Sequence, residues 1–122
     1  MNVTKKQYAL FIEKTQEFIE IFGLKGWEIS FEFGGTDSEE QAGVTFSLSN
    51  RICTFGFSKT SREKLSDKKI SKLAFHEACE LFFAEFRIYM DRQPEITDQI
   101  IHEKIRVLEN ILYDDITIHG GE

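Results

Sequence analysis

The chain is poor in the devices that staple or anchor a small protein. Its two cysteines, Cys53 and Cys79, are too few for a disulfide framework, so each reads as a small buried hydrophobe. A single proline, Pro94, leaves few rigid turns. No apolar run is long enough to span a bilayer, and the opening Met1-Asn2-Val3-Thr4-Lys5-Lys6 lacks the apolar core of a signal peptide. No run of Lys or Arg is long enough to track a phosphate backbone, and the net charge is −6, which argues against nucleic acid as a partner. One local basic cluster, Lys59, Arg62, Lys64, Lys68, Lys69 and Lys72, reads as a solvated loop and helix start. The expectation is an intracellular, cytoplasmic protein with neither a membrane nor a nucleic-acid partner.

What is abundant is phenylalanine. Twelve Phe against one Trp point to a core filled by flat, bulky rings. At 122 residues the chain is one domain, 1–122, large enough to bury a core without metal or disulfide support. The tail Asp114 to Glu122 is expected to be loose. No internal repeat or low-complexity segment interrupts it.

Apolar periodicity supplies the elements. Tyr8, Phe11, Ile12, Thr15, Phe18, Ile19 and Phe22 recur at three- and four-residue steps, which predicts a helix capped by Thr4 and stopped at Gly23. Trp27, Ile29, Phe31 and Phe33 then alternate with polar residues, a strand with one covered and one wet face. Gly43 to Ser49 and Arg51 to Ser58 are two further strands, joined by a turn at Ser49-Asn50. A helix capped by Ser66 or Asp67 is predicted to run to about Met90, apolar almost all round. Pro94 opens a last helix, from about Glu95 to Tyr113, with Ile101, Ile105, Leu108 and Leu112 as its core stripe. Helix, strands, helix, helix is the order of an α+β domain, here with a small three- to four-stranded sheet covered on one face.

Chemistry concentrates in Phe75-His76-Glu77-Ala78-Cys79-Glu80-Leu81. His76 and Glu80, four apart, share one face of the predicted helix, one turn apart, with Glu77 beside them. A His and two acids at that spacing in apolar surroundings are half of a zinc hydrolase site. The usual pattern is His-Glu-x-x-His, whereas this chain reads His-Glu-x-x-Glu. One bland alternative is a wet stripe, since His76 and Glu80 fall near Lys69, Lys72 and Arg87 on the helical wheel. Glu77 resists that explanation. It lies in line with Ile70, Ala74, Leu81 and Ile88, where an acid needs a cleft, a cation or a proton. A further donor is available from the last helix: His102, with Glu103 as its substitute one position on. Cys79 reads as core.

With Leu24-x-x-Trp27-x-Ile29, the strand pair around Asn50-Arg51 and His102-x-x-Ile105-Arg106-x-Leu108-Glu109, these motifs resemble the small zincin-fold metallopeptidases common in phages and prophages, which are similar to minimal gluzincins. The resemblance runs from about Thr4 to Leu112. It implies that His76 is the first metal ligand and Glu77 the general base. Glu80 stands where the second histidine belongs, and His102 near the family's acidic ligand. The two departures exchange a His and a Glu between helices and keep a two-His, one-carboxylate set of His76, Glu80 and His102. The resemblance thus implies a zinc-dependent peptidase acting on peptide or protein, in a host-cell cytoplasm if phage-encoded. A more carboxylate-rich set also admits another divalent metal. The alternative is a decayed site: a zincin-fold interaction module, without metal, that binds a protein partner. Oligomeric state is not encoded visibly.

Overall fold

The computed structural model describes residues 1–34, 36, 40–84 and 94–110. Among these, an α-helix (α1, Lys5–Phe22) precedes three strands (β1, Glu28–Phe33; β2, Ala42–Ser47; β3, Ile52–Phe57) and two helices (α2, Asp67–Phe82; α3, Pro94–Leu108). The arrangement is α+β, and the sheet has three strands in the order β1-β3-β2. β3 is central, parallel to β1 and antiparallel to β2. The expected extension of the second helix to Met90, the Asp91-to-Pro94 turn, and the end of the last helix with its loose tail lie outside the described residues.

The caps explain the helix ends. Thr4 accepts from the Gln7 backbone N–H at 3.0 Å, and Gln7 returns the bond to the Thr4 backbone N–H at 2.9 Å, a reciprocal box that satisfies two orphan donors. At the other end Gly23 adopts φ 69°, a left-handed conformation that glycine enters without a Cβ penalty. Ser66 caps α2 by accepting from the Lys69 backbone N–H at 3.1 Å. The β2–β3 turn is broader than Ser49-Asn50 alone. It takes in Leu48 to Arg51, and Arg51 carries the unusual positive φ of 56°.

Cross-strand register sorts the sheet into two unlike faces. Ile29, Phe31 and Phe33 sit beside Cys53, Phe55 and Phe57, which pair in turn with Phe46, Val44 and Ala42. This face meets the helices: Phe11 of α1 packs on Phe57 with ring centroids 4.6 Å apart, and Tyr8 stacks on Phe33 at 4.5 Å. The other face carries Glu28, Ser30, Glu32, Thr45 and Thr54, with Ser30 and Thr54 sharing a hydroxyl hydrogen bond of 2.9 Å. One face is thus apolar and covered, the other polar and wet.

Helix α2 is the axis of the molecule. Ile70, Ala74, Phe75 and Ala78 are fully buried, and Phe75 meets Phe18 edge-on and Phe22 at a tilt. Small residues on this helix (Ser71, Ala74, Ala78) let α1 approach closely. The remaining face of α2 looks toward β2 on one side and α3 on the other. There the polar residues of the His76 segment emerge.

Candidate metal centre

Three of the side chains expected from the sequence converge. His76 and Glu80 project from successive turns of α2, and His102 faces them from α3. One ligand atom from each lies within 4.8 Å of the other two. His102 Nε2 is 3.4 Å from Glu80 Oε2, and His76 Nε2 is 3.8 Å from the same oxygen. The imidazoles lie nearly parallel, with centroids 5.6 Å apart. Glu103, the substitute donor, points away and is exposed.

Bonds of about 2.0–2.1 Å to a tetrahedral ion put the donor atoms about 3.3–3.4 Å apart. An octahedral ion with the same bonds needs adjacent donors about 2.9 Å apart. The His102–Glu80 separation is close to the first value and the His76–Glu80 separation is longer than either, so the donor chemistry bears on the ion more than the spacing does: imidazole nitrogens with one carboxylate suit zinc better than a hard cation. The three residues could hold a metal ion between them, with two imidazoles and one carboxylate as donors.

Helix α3 reaches this point because Ile101 and Ile105 are buried while Glu103 and Lys104 stay outside. His102 is at the border of that stripe, half-buried. Asp98, one turn earlier and half-exposed, approaches the same His102 nitrogen at 3.6 Å.

The centre lines a cleft of about 510 Å³ between α2, α3 and the outer edge of β2, a size within the range of ligand pockets. Ala42, Gly43, Val44 and Phe46 form its strand wall, and Lys69, Lys72 and Leu73 continue its floor along α2. Lys69 is paired with Glu63. Glu40 lies over Gly43, where a Cβ would come within 3.1 Å of its Oε2. A side chain there would press on the Glu40 carboxylate.

Glu77 is only 7% exposed yet lines the same cleft. The line of the helical wheel on which it falls is the most buried one, as Ile70, Ala74 and Leu81 show. Burial pushes its carboxyl up to about 7; His76 opposes the rise, and the charges of Glu80, Glu40 and Glu109 add to it. His76 is also held above its usual value, first by the Glu109 carboxylate beside it, against burial, and further by Glu77 and Glu80. Cys79 points into the core, where burial raises its thiol to about 12; Cys53 rises to about 11 for the same reason. Neither is a nucleophile or ligand.

Two acids at the site lack an assigned role in the sequence reading. Glu109 stands seven residues after His102, two helical turns on, so its spacing alone places it on the same face. Glu40 sits in the loop before β2, where no periodicity marks it.

Comparison with known proteins adds no identification: no family model, curated protein or solved structure matches the chain. No described helix is long and apolar enough to cross a membrane.

Proposed function

We propose that the chain is a zinc-dependent peptidase of minimal zincin type, with His76, Glu80 and His102 as ligands and Glu77 as general base. The observation that carries this reading is the convergence of three donor atoms within 4.8 Å of one another beside a buried carboxyl that is not one of them. A bound zinc supplies Lewis-acid polarisation of a carbonyl and lowers the pKa of a coordinated water to about 7.

The chain's own residues do the rest. Glu77, with its carboxyl near 7, is matched to accept a proton from water and return it to a leaving amine at neutral pH. Its burial keeps bulk water from competing for that proton. Among the described residues β2 pairs only with β3, so its outer edge can take an extended peptide as a further strand along the cleft. Lys72 flanks that path and suits a substrate with an acidic group near the cleaved bond.

The test is elemental analysis of untagged protein, with peptide hydrolysis measured on wild type, Glu77→Gln and His76→Ala. One zinc per chain is expected in wild type and in Glu77→Gln, with hydrolysis lost in the latter. His76→Ala is expected to lose both. Full metal content in His76→Ala sinks the ligand assignment. No metal in wild type leaves the interaction module as the reading of the fold.

A further inference from the structure

The two ring nitrogens of His76 face two different carboxylates. Nε2 looks toward Glu80, on the side where His102 converges. Nδ1, on the opposite side of the ring, lies 3.6 Å from Glu109 Oε1. Glu109 belongs to the widened turn that continues α3 past Leu108, and its side chain is only 15% exposed. It is outside the group of three donors, because it addresses the far edge of the imidazole.

A neutral imidazole carries one proton, on either nitrogen. Only a nitrogen without a proton can bind a metal, and an acceptor at the other nitrogen decides which one that is. A solvated imidazole prefers the proton on Nε2, the wrong place for this site. We propose that Glu109 is a positioning residue: its carboxylate accepts the Nδ1 proton of His76, fixing the ring and leaving the Nε2 lone pair aimed at the point shared by Glu80 and His102.

The inference rests on the metal-site reading only for its purpose; the tautomer itself is a property of the metal-free chain. α3 thereby supplies two different things to the centre. His102 is a donor, and Glu109 sets the donor of the neighbouring helix. Partners of this kind usually change metal affinity 10–100-fold.

The experiment uses the full chain, labelled with ¹⁵N histidine and stripped of metal by a chelator, in wild type, Glu109→Gln and Glu109→Ala. Two-bond ¹H–¹⁵N correlation spectra at alkaline pH report the His76 tautomer. Wild type is expected to carry its proton on Nδ1. Glu109→Ala is expected to move it to Nε2, and Glu109→Gln, whose amide oxygen still accepts a hydrogen bond, to fall between. Zinc titration against a competing chelator should then give affinities in the same order, with Glu109→Ala 10–100-fold weaker than wild type. Circular dichroism checks that each variant is folded, and the isosteric Glu109→Gln keeps the comparison available if the alanine variant is not. A His76 tautomer that is the same in all folded variants overturns the inference, whatever the zinc result. A tautomer that shifts as expected in a chain that binds no zinc supports the positioning role and overturns the metal reading instead.

Discussion

Helices α2 and α3 contribute to one centre from unlike situations. α2 is gripped by α1, faces β2, and presents His76, Glu77 and Glu80 from a helix whose other sides are core. α3 leans chiefly on α2 among the described residues, and holds on through Ile101 and Ile105. Half of the site is therefore built into the fold, and the other half arrives by docking. Loss of α2 packing removes the domain, while loss of α3 packing should remove the site and spare much of the domain.

The largest effect expected is from Phe75→Ala, which removes a fully buried ring between Phe18 and Phe22. A loss of about 3–5 kcal/mol is expected in denaturant unfolding, enough to leave much of the chain unfolded at 37 °C if its stability is ordinary. A loss under 1 kcal/mol would mean α2 is not the axis described.

Glu77→Gln sharpens the comparison from within α2. Below pH 4.5 the carboxyl is protonated in folded and unfolded chains alike and costs nothing. As pH rises toward about 7 the unfolded chain ionises first, so the wild-type fold loses stability, by about 3 kcal/mol when the loss is complete. In metal-free protein the Gln variant should therefore match wild type near pH 4 and gain on it steadily toward pH 8, as followed by thermal melts. A stability difference independent of pH would show that Glu77 is not held in its neutral form.

Ile105→Ala tests the docked half. Ile105 is fully buried, and its truncation is expected to cost about 2 kcal/mol while zinc affinity falls at least tenfold because His102 loses its footing. Equal affinity in wild type and variant would deny that α3 delivers a ligand by docking. The smallest effect belongs to Thr4→Ala, remote from both helices of the site. It breaks the α1 capping box and should cost about 1 kcal/mol without altering zinc binding.

The same contrast explains how much was legible in the sequence. Strong periodicity gave α1, β1 and the buried line of α2, including the placement of Glu77 against an apolar background. His76 and Glu80 were readable as a pair because helix geometry fixes what stands four residues apart. The partner helix was readable only as a stripe of isoleucines, which identified His102 and kept Glu103 as its substitute; the packing of α3 brings His102 to the other two donors and leaves Glu103 exposed. Glu109 carried a usable signal, its two-turn spacing from His102 and its place at the end of the His102-x-x-Ile105-Arg106-x-Leu108-Glu109 motif, but nothing there gave it a role. Glu40 had neither, since its position depends on how a loop returns to β2. The insertion of β3 between β1 and β2 is likewise beyond local pattern, because parallel and antiparallel partners leave the same alternation.

That insertion governs the order in which the chain can assemble. β2 and β3 meet across a short turn, with Ser47 beside Ile52, whereas Ser30 of β1 and its partner Thr54 are 24 residues apart. Closing the longer loop costs more chain entropy than closing the shorter one, so the hairpin forms first and β1 joins a template already in place. Until it does, the inner edge of β3 is bare, with Phe55 and Phe57 beside it. A chain between those steps would offer a ready strand to any neighbour in the same condition.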